Sequence, residues 1–420
     1  MPGLIVGAVR AGGGPLPRPW SEEFLSRVGD HAAGVFLAQA AVRAVRVAAG
    51  LVLAVLLLVA AGAAHAPARH ALADASLAQY AASPLSLSAT ERGPGGKVNP
   101  HLVAFTASAY QSARPVLAWG AGGDGSGAFR VPIDVALGAD GSVYVLDYGY
   151  SGLVDGVERY REARVQRFDP EGRFLAAWGH GQLNRPFGLA VDAAGDVWVA
   201  DTFNHLVRRY SPDGTLRSTW GGHGAAPGQL DRPTDLTIAG NEVYVVEFGS
   251  DRVQVLGMDG SPRRAWGVTG SGPGQLRGPH GIAVDDAGRV YVADTNNHRI
   301  AVFSTRGELL ETWASDPAQD PACPPPYLGQ FCRPRHLALD PAGNVLVADR
   351  NHHRIQVFTS AGQPLASIGG EGRALGQLSF PYAAAIDEIG RLYVADAGND
   401  RIQVYVLGAP FRAHLPFAPR

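Results

Sequence analysis

The stretch PHGIAVDDAGRVYVADTNNHRIAVFSTRGELLETWA, residues 279–314, decides how this chain folds. It contains four short runs rich in Val, Ile, Tyr and Trp: GIAVD (281–285), VYVAD (290–294), RIAVF (299–303) and LLETWA (309–314). Between them stand Asp286-Ala287-Gly288, the loop TNNH and Arg306-Gly307. Runs of this length, β-branched and aromatic and punctuated by glycine turns, predict an antiparallel meander of four strands. One such sheet cannot cover both of its own apolar faces.

The same phrase recurs outward in both directions. A proline opens each unit, at Pro132, Pro186, Pro233, Pro279, Pro334 and Pro381, spaced by 54, 47, 46, 55 and 47 residues. An acid closes each second strand, at Asp147, Asp201, Glu247, Asp294, Asp349 and Asp396. Two independent markers with almost the same period identify six copies of one supersecondary unit. Six four-stranded sheets arranged radially cover each other's faces. The predicted fold is therefore all-β, a six-bladed β-propeller of four-stranded antiparallel blades, preceded by one N-terminal transmembrane helix. The sixth unit lacks a fourth strand ending in Trp-Gly. PVLAWG (115–120) precedes the first unit and matches LAAWG (175–179), RSTWG (217–221) and RRAWG (263–267). Residues 115–119 are expected to close blade six, with FRAHLPF (411–417) as the competing strand.

The units resemble the NHL-repeat propellers. Asn204-His205-Leu206 spells the repeat's name. Asn297-His298-Arg299-Ile300, His352-His353-Arg354-Ile355 and Asn399-Asp400-Arg401-Ile402 occupy the same place. Gly-Gln-Leu at 228–230, 274–276 and 376–378 matches the blade connector. The resemblance covers residues 113–420. It implies the propeller fold and leaves the task open, because one fold hosts many. It also resembles bacterial members displayed outside the membrane on receptor kinases.

Ahead of the repeats, VAAGLVLAVLLLVAAGAA (47–64) is 18 residues without a charge. A membrane-spanning helix needs about 20 apolar residues. Arg43 and Arg46 precede the run, which places the N-terminus in the cytoplasm and the propeller outside it. The domains expected are a short cytoplasmic segment 1–46, a transmembrane signal anchor 47–66, a flexible linker 67–112 and the propeller 113–420. Secretion after cleavage near Ala61-Gly62-Ala63 is the alternative. Cys323 and Cys332 flank CPPPYLGQFC, and in an oxidising compartment they are expected to form a disulfide.

The 54 glycines and 30 prolines among 420 residues fit the turns that such a repeat requires. The net charge of −2 argues against nucleic acid as a partner. All basic residues except Lys97 are arginine, and they form no cluster.

Two insertions interrupt the period, at 149–163 and 315–331. Both fall on the face that carries the incoming connectors and the loops between second and third strands. Insertions on one face of a repeat fold mark a candidate binding face. The residues following each marker proline should line the axial funnel: Ile133, Phe187, Thr234, His280, Arg335 and Tyr382. Behind them come Asp134, Gly188, Asp235, Gly281, His336 and Ala383. Thr234, Asp235, His280, Arg335, His336 and Tyr382 are the candidate ligand-binding residues, suited to an anionic or hydroxylated ligand. Internal pairing of Arg335 with Asp235 or Asp134 is the competing reading.

The resemblance extends to the peptidyl-hydroxyglycine lyase of peptide amidation, which implies zinc held by three histidines at the post-proline position of alternate blades. Phe187, His280 and Tyr382 stand there, so no metal and no cofactor are expected. The recurring acids and Asn-His pairs are expected to be structural, holding loop N–H groups. No nucleophile elbow, phosphate loop or metalloprotease helix occurs. The function expected is a membrane-tethered extracytoplasmic binding, scaffold or sensor module for a protein, peptide or glycan. The alternative is an enzyme, a lyase or a lactonase-like hydrolase, working in the funnel.

Overall fold

The computed structural model describes residues 105–149, 152–154, 157–159, 163–313, 323 and 326–408. The apolar run 47–66, the segment 67–104 and the competing strand 411–417 lie outside them. Among the described residues no helix is long and apolar enough to cross a membrane.

Six four-stranded antiparallel sheets follow one another in the order that the repeats predict. Blade four, for example, runs Ile282–Val284, Arg289–Asp294, Arg299–Ser304 and Leu309–Trp313. Second strands such as Val143–Asp147 are buried along their whole length. Outermost strands such as Leu216–Gly221 alternate between exposed and half-buried residues, because only one of their sides meets a neighbour. The apolar core is divided into six seams, each lying between adjacent blades.

Blade six consists of Ala383–Ile386, Arg391–Asp396 and Arg401–Val406, with the N-terminal strand Arg114–Trp119 as its outermost member. The ring therefore closes with strands from both ends of the repeat region, as 115–119 predicts. Trp119 carries the seam across to blade one. A Cβ on Gly172, whose φ is +83°, would come within 2.5 Å of the Trp119 ring. Only glycine allows that approach with that backbone.

The linker expected over 67–112 ends sooner than the sequence suggests. Ala107–Gln111 form a short helix, α1, capped by the Thr106 hydroxyl. Tyr110 is buried, and its hydroxyl donates to Asp340 at 2.6 Å. Asn344 donates to the Phe105 carbonyl. Asp340 and Asn344 border the turn between the first two strands of blade five, so α1 docks on the face opposite the connectors. A tyrosine inside an otherwise Ala- and Ser-rich segment was the signal for this contact.

One polar device repeats in all six blades. The acid closing the second strand accepts a backbone N–H from the blade's own incoming connector at 2.6–2.8 Å. The same carboxylate accepts from an arginine on the third strand: Arg164, Arg208, Arg252, Arg299, Arg354 or Arg401. Each of those arginines also donates to carbonyls of the connector. The acids are structural, as expected, but the arginine partner is an addition to that expectation. Replacing Asp294 by Ala would leave the buried Arg299 without its carboxylate. The expected cost is about 3–5 kcal/mol, measured by denaturant unfolding.

The histidine of the Asn-His pair has its own task. His205, His298 and His353 adopt left-handed backbone with φ of 55–59°. Each Nδ1 accepts the N–H of the residue before the next blade's marker proline, at 3.2–3.3 Å. Asp251 and Asp400 do the same with a carboxylate oxygen. Burial holds His353 below the usual histidine range, and burial with the neighbouring His223 does so for His205. A histidine depressed in the folded state supports stability above its unfolded value of 6.5 and loses it as pH falls below that. Asparagine keeps the acceptor and tolerates left-handed backbone. The variant His205→Asn/His353→Asn should therefore match the parent at pH 7.5 and exceed it in melting temperature near pH 5.5.

Candidate functional site

The marker prolines place the site. The residue before each one, Val131, Arg185, Arg232, Gly278, Arg333 or Phe380, has a positive φ of 46–69°. This sharp turn, held at all but Arg185 by the staples just described, brings each chain to the axis. The next side chain then points inward.

The eight residues Ile133, Phe187, Thr234, Asp235, His280, Arg335, His336 and Tyr382 line one axial cavity. All six candidate binding residues are thus together, joined by the two apolar ones. The space left for the centre of a water molecule is about 20 Å³. That accommodates one or two waters or a bare cation.

The post-proline side chains fill the remainder of the axis by contacting one another. Arg335 Nη1 hydrogen-bonds His280 Nε2. The Arg335 guanidinium lies 5.6 Å from the centre of the Tyr382 ring. Phe187 meets His280 edge-on at 5.9 Å and Tyr382 at 6.5 Å. Thr234 donates to the Pro279 carbonyl at 3.1 Å. His280 Nδ1 faces the Gly278 carbonyl at 3.0 Å. Arg335 is therefore internally engaged, but not with the acids that the competing reading named. Among the described residues neither Asp134 nor Asp235 pairs with it, and it hydrogen-bonds His280.

Arg350, absent from the sequence-based set, completes the wall. Its guanidinium lies 4.9 Å from both the Phe380 and the Tyr382 ring centres. Burial pushes the Tyr382 hydroxyl up, yet the charges of Arg350 and Arg335 outweigh it and hold the phenol below the usual tyrosine range. The signal for Arg350 lay in its place directly after Asp349, where the other blades carry Tyr148, Thr202, Phe248, Thr295 and Ala397.

Deeper in the same strands, Asp134 Oδ1 and Oδ2 accept from Val135 at 2.7 Å and Leu189 at 2.6 Å. Asp235 accepts from Leu236 at 2.8 Å and Ile282 at 3.0 Å. Each carboxylate thus ties its blade to the next. Burial, reinforced by the charge of Asp235, pushes Asp134 well above the ordinary carboxylate range. Burial likewise pushes Asp235 up to about 8. His336 Nε2 stands 3.4 Å from Asp134 Oδ1, and burial holds this histidine down to about 4.

The zinc implied by the lyase resemblance does not fit. Phe187 offers no ligand atom, and both His280 nitrogens are engaged.

Of the two insertions, 149–163 contains a small hairpin, Gly152–Val154 with Val157–Arg159. In the other, Cys323 and Cys332 form the expected disulfide. Beside it Tyr327 and Leu328 are exposed, at 71% and 40%. Residues 150–151, 155–156, 160–162, 315–322 and 324–325 of the insertions lie outside the described set.

The family described as NHL repeat matches residues 183–210, 276–303 and 331–358, in blades two, four and five. The chain carries NHL repeats. It is 29% identical over 224 residues to human NHL repeat-containing protein 3, covering 49% of this chain and 60% of that protein. It is 30% identical over 207 residues to mouse peptidyl-glycine alpha-amidating monooxygenase, covering 48% of this chain and 16% of that protein. The chain thus spans less than two thirds of either relative. Among solved structures, a Bacteroides thetaiotaomicron protein of unknown function superimposes with a TM-score of 0.53 at 15% identity, covering 71% of this chain and 76% of that one. That likeness concerns the fold.

Ultraviolet titration should show a phenol ionising below the ordinary tyrosine range. That component should disappear in Tyr382→Phe and move upward in Arg350→Gln.

Proposed function

We propose that this chain is a membrane-tethered extracytoplasmic propeller that binds a protein, peptide or glycan on its connector-bearing face. The observation that carries the reading is the filled axis. Cation–π and aromatic contacts among Phe187, His280, Arg335, Arg350 and Tyr382 leave only about 20 Å³ for water centres. Pockets that hold drug-sized ligands run to about 300–1,000 Å³. Binding therefore belongs on the mouth and its loops.

Two further features support this face. The disulfide-bonded connector displays Tyr327 and Leu328 to solvent, an amphipathic and apolar pair of the kind that anchors interfaces. Helix α1 docks on the opposite face and leaves the connector-bearing mouth uncovered by it.

One observation favours the enzyme reading. Tyr382, acidified by two guanidinium groups, has the character of a general base. Its substrate would have to displace the packed ring.

Photocrosslinking in intact membranes distinguishes the two readings. Crosslinkers at Asn184 and Leu328 on the mouth should capture a discrete partner from the extracytoplasmic side. One at Ala361, in a turn of the opposite face, should not. Equal capture from both faces, or capture only by cytoplasmic components, would sink the binding reading.

A further inference from the structure

The second layer of the axis alternates in a way the first does not. Around the ring the residues two places after each marker proline are Asp134, Gly188, Asp235, Gly281, His336 and Ala383. Blades one, three and five supply side chains; blades two, four and six supply almost none. The reason is steric. A Cβ on Gly188 would lie 2.5 Å from the Asp235 Cα, and one on Gly281 would lie 2.3 Å from the Arg335 carbonyl oxygen. The layer has room for three side chains, and all three are metal-ligating types.

We propose that Asp134, Asp235 and His336 form a site for one divalent cation of the zinc or manganese class on the propeller axis. One ligand atom from each lies within 4.8 Å of the others. Closing to metal–ligand distances of about 2.0–2.2 Å needs movements of about 1 Å or less, within the reach of side-chain torsions. Two carboxylate oxygens and one imidazole nitrogen select zinc, manganese or ferrous iron over calcium or magnesium. The donors are supported from behind. The backbone N–H groups of Val135, Leu189, Leu236 and Ile282 fix both carboxylates while leaving lone pairs free.

The second observation is the missing positive charge. Asp134 and Asp235 are 0% and 3% exposed, yet no arginine pairs with either among the described residues. The six acids that close the second strands each hold an arginine, and these two axial acids do not. His336 approaches Asp134 through Nε2, while its Nδ1 is buried without a hydrogen-bond partner. A dication would neutralise the carboxylates and engage the imidazole together. The cavity beside them has room for an ion and a water. This donor set lies one residue further along the strands than the three-histidine zinc position, and it comes from the other three blades.

The test uses the full-length chain in detergent, stripped with chelator and titrated with Zn²⁺ or Mn²⁺ alone. One equivalent should bind and raise the melting temperature. Asp134→Asn, Asp235→Asn and His336→Gln should each weaken binding by at least about tenfold. His223→Gln, in the separate group His205, His223 and Asp231, should bind as the parent does. Circular dichroism reports whether each variant is folded. Should a variant fail to fold, electron–nuclear resonance of the Mn²⁺-loaded parent decides alone: one directly coupled histidine nitrogen is expected. No binding, no coupled nitrogen, or binding undisturbed by the variants overturns the proposal. The last would point to the exposed group His205, His223 and Asp231.

Discussion

Every blade depends on one buried ion pair, the carboxylate at the end of the second strand with the arginine of the third. Its geometry recurs six times, with Nε to oxygen distances of 2.6–3.3 Å. A buried pair adds little net stability against an apolar replacement. Its value here is positional. The carboxylate holds the connector's N–H, and the guanidinium holds its carbonyls. The path of the connector then fixes the left-handed residue before the marker proline. That turn sets where the next side chain meets the axis, so the lining of the axis is a consequence of a contact made farther out in each blade.

Two axial layers follow, with different physics. The first is crowded by large side chains in mutual contact, which leave room for little more than water. The second is sparse because the backbones there approach too closely for more than three side chains. With the first layer closed, the lengthened loops and the exposed Tyr327 are what the mouth presents to solvent. Sparseness of the second concentrates two carboxylates and an imidazole without an arginine. The docking of α1 on the far face gives the molecule a front and a back.

Much of this was legible in the sequence. The period of the prolines and acids gave six blades, and PVLAWG matched the closing strand, because both rest on local pattern. All six candidate residues do line one cavity, since a register position fixes direction. Partner choice was not legible. Arg335 reaches His280 from the neighbouring blade rather than an acid, and Arg350 joins Tyr382 across a seam. Such pairings depend on rotamers and inter-blade distance, which a linear spacing does not encode. Helix α1 was hidden in a segment whose composition reads as linker, because Tyr110 finds its partner Asp340 more than two hundred residues away. The alternation of Asp, Gly, Asp, Gly, His and Ala was visible, but its meaning needed the closeness of the backbones.

The claim at the centre of this account is that the first axial layer is filled by its own side chains. The most direct measurement is an experimental density map of the purified protein. The space among Phe187, His280, Arg335 and Tyr382 should contain nothing larger than water or a single ion. An organic molecule lying between Arg335 and Tyr382, with those side chains swung apart, would contradict the account and return the funnel to the role of ligand site.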